Sequence, residues 1–373
     1  MELPVERSML DSILASWGYG PSFSQALSSL ARPDLAPARV ISDLGSQLEI
    51  VDAGDMPRLA QLSGRLRHTL PALDRPVVGD WVAIAAPAGP DEPAVVHDVL
   101  PRTGQLIRRA AGRAEREQVV AANVDTCLVV TSANRDASAR RLERYLTAVW
   151  DSGAAPVVVV SKIDLVDDRE LSGVLAALAA VAPGVPIVPV SAHGGTGLDA
   201  LAVHLRPGRT VALIGSSGVG KSSLVNRWLG RDHQAVLPID ANDRGRHATT
   251  RRELFAVPGG GLVLDTPGMR SFGLLDSDTG LGDAFADVAE LAARCRFRDC
   301  RHRGEPGCAI DAAIEAGELD PGRRDGLHKL SRELAAAELR RDPLAAREHR
   351  TRMKGVNKAL RARARVDPKL RRG

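Results

Sequence analysis

The sequence predicts a multidomain α/β protein in three successive parts: a small antiparallel β-barrel, a mostly parallel sheet covered by helices on both faces, and a polar helical module around a cysteine cluster. Between 36 and 110 the runs "ARVISDLGSQLEIV", "PRLAQLSGRLRH", "PVVGDWVAIAAP" and "AVVHDVLPR" alternate apolar and polar residues between Gly, Pro and Asp turns. That is the pattern of short strands with one buried face. After 120, apolar β-branched runs ("CLVVTS", "APVVVVSK", "VPIVPVSA", "TVALIG", "GLVLDTPG") are separated in several places by helical stretches such as "SARRLERYLTAVWDSG" and "ELSGVLAALAAV". Buried strands alternating with helices imply a parallel sheet with both faces covered. From about 280 the chain reads as helical and polar, interrupted by Cys295, Cys300 and Cys308.

In chain order, residues 1–35 show helix-like pieces and turn signals ("WGYGPSF", "ARPDLAP") without a clear core pattern, and are read as an extension. Residues 36–110 are read as the barrel, with the oligonucleotide-binding (OB) type as first choice among small barrels. The parallel sheet is assigned to 111–280, the helical module to 281–340 and a basic tail to 341–373. No internal repeat is visible.

At 373 residues the chain exceeds one typical domain, and its 44% apolar content is ordinary for a globular protein. No apolar run is long enough to span a bilayer: the nearest, "VLAALAAVAPGVPIVPVSA", is broken by Pro183, Pro186 and Pro189. The first thirty residues lack the basic start and apolar core of a signal peptide, so a cytoplasmic protein is expected. The formal net charge is +4, but residues 341–373 hold twelve Lys/Arg against three Asp/Glu. The tail therefore carries +9 and the remainder −5. Such a tail fits either a solvated segment or an arm on nucleic-acid phosphate. With two Tyr, five Phe and four Trp there are few platforms for stacking bases, so charge and shape would dominate contact with RNA.

Gly215-Ser216-Ser217-Gly218-Val219-Gly220-Lys221-Ser222 matches the eight-residue phosphate-loop pattern, entered by an apolar strand (Val211 to Ile214) and left by a helix from Ser223. The glycines let backbone N–H groups converge on phosphate oxygens in conformations that a Cβ would obstruct. Lys221 supplies a point charge to the β- and γ-phosphates, Ser222 a hydroxyl to Mg²⁺, and the helix start a field that favours anions. Asp265 of "DTPG" closes another buried strand, where it can hold the Mg²⁺ shell, and Gly268 can present its N–H to a γ-phosphate.

Ser161-Lys162-Ile163-Asp164 ends a further strand. Asp164 can accept from both N1–H and N2–H₂ of guanine, a pair of donors that adenine lacks. Lys162 can lie along the base plane, and Ser191-Ala192 fits a backbone N–H contact to guanine O6. Many GTPases carry Asn where this chain has Ser161, so looser packing between the loops is expected here. These base-reading residues precede the phosphate loop in the chain, the reverse of the usual order.

Cys295-x₄-Cys300-x-His302-x₅-Cys308 gathers three of the four cysteines and a histidine within fourteen residues. This is a tetrahedral set suited to one structural Zn²⁺, with no open position for catalysis. Cys127, within "CLVVTS", reads as a small buried apolar residue. Arg294, Arg296, Arg298, Arg301 and Arg303 around the cluster suit either phosphate contacts or a solvated face.

The permuted motif order, the upstream barrel and the downstream cluster together resemble the circularly permuted GTPases of the RsgA family, which act on the small ribosomal subunit. The resemblance spans roughly 36–340 and rests on "AANVDTCLVVTSAN", "GSSGVGKSSLVN", "GRHATTRREL", "DTPGMRSFGL" and "FRDCRHRGEPGCAI". It implies a cytoplasmic enzyme that hydrolyses GTP to GDP slowly with Mg²⁺, binds the 30S subunit during late maturation and is stimulated by it. The expected partners are the 30S subunit and its 16S rRNA, with the protein a monomer away from any membrane. Where a Gln often orients water, the chain has Met269, so help must come from elsewhere. The resemblance points to His247 for that role, with Thr250 (Thr249 competing) as the first-switch contact to Mg²⁺ and γ-phosphate. Two other readings compete. A metal-delivery GTPase would exchange its zinc rapidly, and a GTP-switched RNA-binding protein would show negligible turnover.

Overall fold

The computed structural model describes residues 12–85, 89, 92–110, 116–134, 137–230, 252–265 and 278–341. After helices α1 (described over 12–16) and α2 (Pro21–Ser29) come five short strands: β1 (Leu35–Asp43), β2 (Leu48–Val51), β3 (Pro57–Leu62), β4 (Trp81–Ala85) and β5 (Ala94–Val99). Alternate side chains turn inward, so Ala38, Val40, Leu48, Ile50, Ala60, Val82, Ile84, Ala94 and Val96 form one dry core. The strands run β1-β2-β3-β5-β4, and β4 returns to β1 from Leu35↔Ala85 to Arg39↔Trp81, which closes the barrel. β3 and β5 are parallel while the other pairs are antiparallel. This is the five-stranded OB-type barrel, and closure leaves little unpaired edge.

One part of the β reading is corrected. "SGRLRH" forms a short helix, α3 (Gly64–Thr69), because Ser63 caps it by accepting from the Leu66 N–H at 3.4 Å. The extension also has a core after all. Leu14, Trp17 and Phe23 are buried, and Tyr19 and Phe23 lie 4.8 and 5.9 Å from the Trp81 ring on the barrel wall. Arg39, 1% exposed, donates to Trp17 O (2.8 Å), Asn123 O and Thr210 Oγ1 (both 3.2 Å). One guanidinium thereby fastens barrel, extension and second sheet together.

A hairpin, β6 (Gln105–Ala110) and β7 (Arg116–Ala122), leads into that sheet. Its elements are β8 (Thr126–Ser132), α4 (Ala139–Asp151), β9 (Ala155–Ser161), α5 (Asp168–Ala179), β10 (Ile187–Pro189), α6 (Leu198–Ala202), β11 (Thr210–Ile214), α7 (Lys221–Leu229), β12 (Glu253–Ala256) and β13 (Leu262–Asp265). The order is β10-β9-β8-β11-β13-β12, parallel except for β12, which also pairs with β1 at Ser42↔Glu253. Alternation sorts the strand residues between two faces. Cys127, Val129, Val158, Val160, Ala212, Ile214 and Leu264 face α4 and Leu178 of α5. Leu128, Val130, Val157, Val159, Val211, Leu213 and Val263 face α6 and α7. From β8 the chain winds outward through β9 to β10, then returns to place β11 on the other side of β8. That reversal opens a crevice at the carboxyl ends of the central strands.

The final helices, α8 (Asp278–Ala284), α9 (Ala286–Ala292), α10 (Ala309–Glu315) and α11 (Pro321–Arg341), pack against the α4 face. Arg323 of α11 is 1% exposed. It pairs with Glu143 of α4 at 3.1 Å and Asp287 of α9 at 2.5 Å, and it donates to Ala284 O at 2.9 Å and Val181 O at 3.2 Å. Among the described residues no helix is long and apolar enough to cross a membrane.

Candidate nucleotide site and metal centre

The crevice is built from loops at three strand ends. Leaving β11, Gly215 adopts φ +140°, and a Cβ there would stand 2.1 Å from Val130 O, so only glycine fits. Gly218 and Gly220 also have positive φ (+77° and +98°), and Gly220 is the N-cap of α7. Val219 is buried in the sheet core, which anchors the middle of the loop. Lys221 Nζ folds over the loop and donates to Gly215 O (2.8 Å) and Ser216 O (2.6 Å). Ser216, Ser217, Ser222 and Ser223 are all part-exposed, the last two in the first turn of α7. A first helical turn presents backbone N–H groups with no partner in the helix, the arrangement that receives an anion.

The strand-end loop after β9 touches this loop directly. Lys162, at φ +58°, reaches Gly218 O with Nζ at 2.5 Å. Ser161 Oγ lies 3.0 Å from Thr131 O and 2.5 Å from Val219 O, and its one proton serves one carbonyl at a time. The hydroxyl of Ser161 therefore ties the loop after β9 to the loop after β11. Asp164 sits exposed in a 3₁₀ turn, Ile163–Leu165. The Ile163 N–H donates to Val190 O at 3.4 Å, which brings in the third loop. There Ser191 N–H is taken by Thr196 O (2.9 Å), while the Ala192 N–H has no partner among the described residues.

Asp265 ends β13, whose Leu264 pairs with Ala212 of β11, so its backbone lies beside the phosphate-loop strand. His247, Thr249, Thr250, Gly268 and Met269 lie outside the described residues. No sequence motif marks Arg141 of α4, which donates to Ser216 Oγ at 2.6 Å. In "SARRLERYL" it looks like any arginine on an exposed helix face.

In the C-terminal module the ligand atoms of Cys295, Cys300, His302 and Cys308 all lie within 4.8 Å of one another. His302 Nδ1 is 3.6 Å from both Cys295 Sγ and Cys308 Sγ, and a left-handed backbone (φ +57°) turns it inward. Ala309 N–H donates to Cys295 Sγ at 3.3 Å, while Glu305 accepts from the Arg303 and Arg301 N–H groups and pins the loop. Burial pushes the Cys308 thiol up to about 12, so a thiolate there is favoured by a cation beside it. The set can hold a metal ion. Cys127 is apart from it, buried in β8.

Comparison with known proteins agrees with this architecture. The profile of the RsgA GTPase family matches residues 99–275. A small ribosomal subunit biogenesis GTPase RsgA of Opitutus terrae is 44% identical over 95% of this chain and 98% of its own length. The protein of that name from Streptomyces coelicolor is 41% identical over 86% and 87%. Among solved structures, YjeQ from Thermotoga maritima superposes with a TM-score of 0.62 at 27% identity, covering 81% of this chain and 99% of that one. YloQ, a circularly permuted GTPase, gives 0.60 at 27% identity over 82% and 97%. The near-complete match to the Opitutus relative, together with the profile and the permuted strand order, places this chain in the RsgA GTPase family.

Proposed function

We propose that this chain is a GTP hydrolase that binds the 30S ribosomal subunit and couples hydrolysis to late maturation of that particle and to its own release. The observation that carries the reading is the direct bonding of the base loop to the phosphate loop, Lys162 to Gly218 and Ser161 to Val219. Residues 161–164 and 215–223 thereby form the two ends of one nucleotide cradle. In it Asp164 selects guanine, Lys162 lines the base, and Ala192 N–H receives O6. The N–H groups of Gly215 to Ser223 and the Lys221 ammonium hold the phosphates. Ser222 and Thr250 are assigned to Mg²⁺, with Asp265 behind them and Gly268 at the γ-phosphate; Mg²⁺ supplies charge neutralisation across the β- and γ-oxygens. His247 is assigned to orienting the attacking water.

The metal is assigned as zinc. Bonds of about 2.3 Å to sulfur and 2.0 Å to nitrogen at tetrahedral angles put S and N about 3.5 Å apart. The 3.6 Å separations around His302 fit that edge. Four mutually close ligands leave no open position, which suits a structural ion rather than a cargo. The division into extension (1–35), barrel (36–110), GTPase domain (111–280), zinc module (281–340) and basic tail (341–373) is part of the proposal. So are 16S rRNA as the contacted component, a monomeric state and a cytoplasmic setting.

The test is multiple-turnover phosphate release with GTP, and with ATP as control, alone and on purified 30S, 50S and 70S particles. Turnover of GTP only, raised selectively by 30S, is expected. His247→Ala should abolish the stimulated rate and leave GTP binding nearly intact. Turnover indifferent to 30S would contradict the assignment.

A further inference from the structure

We propose that the cleft between α4 and α11 docks a run of RNA phosphates, and that α4 relays this docking to the phosphate loop. The cleft has a volume of about 270 Å³ and is lined by Arg140 and Arg144 from α4 with His328, Lys329 and Arg332 from α11. Its acids are already engaged. Glu143 is paired with Arg323, Asp325 with Arg324 at 3.1 Å, and Arg144 is itself matched by Glu333 at 3.1 Å. Among the described residues Arg140, Lys329 and Arg332 close no salt bridge, although Arg140 lies within the field of Glu143, and with Arg144 they outnumber the two acids of the lining. Burial first, then the charge of Arg303 on the metal loop, hold His328 below its usual pKa, which puts Arg303 close to the α11 side of the cleft. The positive surface thus continues from the cleft to the exposed arginines of the metal loop. Leu330 and Gly326 are the only apolar members of the lining, too little wall to anchor the side chains of a peptide. A phosphate backbone needs cations and no apolar pocket.

The relay lies in α4 itself. Within four residues this helix sends Arg141 to Ser216 of the phosphate loop (2.6 Å), Glu143 to Arg323 (3.1 Å) and Arg144 to Glu333 (3.1 Å). A ligand bridging Arg140 to Lys329 and Arg332 would fix α4 against α11, and with it the Arg141 contact that orients Ser216. The RNA surface and the nucleotide site are then coupled through one rigid helix.

This inference rests on the reading that the chain binds the small subunit, and the test separates the two. The full-length triple variant Arg140→Ala/Lys329→Ala/Arg332→Ala and a control, Arg169→Ala/Arg206→Ala, are compared with wild type. Each is assayed for affinity to 30S particles and to protein-free 16S rRNA over a salt series, and for 30S-stimulated GTP turnover. The triple variant should keep wild-type GTP affinity and basal turnover but bind both targets at least tenfold more weakly. Its log–log salt slope should be shallower by about 2, as expected for three lost phosphate contacts. Arg141→Met should keep 30S affinity yet lose most of the stimulation. Unchanged affinity and slope in the triple variant would overturn the docking site, and full stimulation in Arg141→Met would overturn the relay. A defect on 30S but not on protein-free rRNA would give the cleft to a protein partner and also overturn it. If wild type itself ignores 30S, the functional reading fails and the inference falls with it.

Discussion

Arg323→Met should detach the cysteine-cluster module from the GTPase domain without touching the nucleotide site. The guanidinium holds Glu143 and Asp287, lies over the Phe285 ring with its carbon 4.3 Å from the ring centre, and donates to two carbonyls. Asp287 keeps 28% exposure and can rehydrate when its partner goes, whereas the Glu143 side chain at 4% cannot. Removing one member of a buried pair costs roughly 3–5 kcal/mol, most of it the stranded charge. Because Asp287 escapes, the lower end applies, about 3 kcal/mol, or roughly 10²-fold in a local opening equilibrium. Glu143 can shed the penalty by taking a proton. Burial already raises its pKa, and Arg323 is the main opposing influence. In the variant its folded pKa rises further above the unfolded value, so folding binds a proton and stability falls as pH rises through that interval. The defect should be smallest below the ordinary glutamate range and complete above the raised value. Hydrogen exchange of α11 amides is the suitable assay, because a multidomain chain has no single unfolding free energy. Faster α11 exchange by roughly 10²-fold at neutral pH is expected, with partial recovery in Arg323→Met/Glu143→Gln. Protection within threefold of wild type would refute the reasoning.

Ser161→Ala should weaken GTP and GDP equally, by about three- to tenfold, since it removes one hydrogen bond between the two loops and contacts neither nucleotide preferentially. Equilibrium titration with both nucleotides checks this, and an effect on one alone would reassign the residue. Cys300→Ser should lower zinc content below one ion per chain and loosen residues 295–308, leaving nucleotide affinity unchanged; metal analysis of the purified variant decides it.

The phosphate loop was legible because its chemistry is local. Gly215 and Gly220 need backbone angles that few residues adopt, and Lys221 follows at fixed spacing. The cysteine cluster was legible for the same reason. The barrel was visible through alternation, but α3 was not, since "SGRLRH" alternates like a strand until Ser63 caps a helix. What escaped were contacts between distant segments. Arg39 meets Thr210 across 171 positions, Arg141 meets Ser216 across 75, and Arg323 meets Glu143 across 180. Each is an arginine whose sequence context is that of a surface residue, and nothing periodic marks its partner. Leu14, Trp17 and Phe23 form a core only when folded against Trp81, so the extension carried no periodic signal of its own.

The most direct measurement is nucleobase selectivity of Asp164→Asn. The carboxylate accepts from two guanine donors, and an amide cannot accept from both, but it can donate to the 2-oxo group of xanthine. GTP affinity should drop roughly 10²-fold while xanthosine triphosphate, weak on wild type, becomes the better ligand, with Lys221 and the phosphate loop unaltered. Retention of wild-type GTP affinity and selectivity would show that the loop after β9 and the loop after β11 do not grip the same molecule.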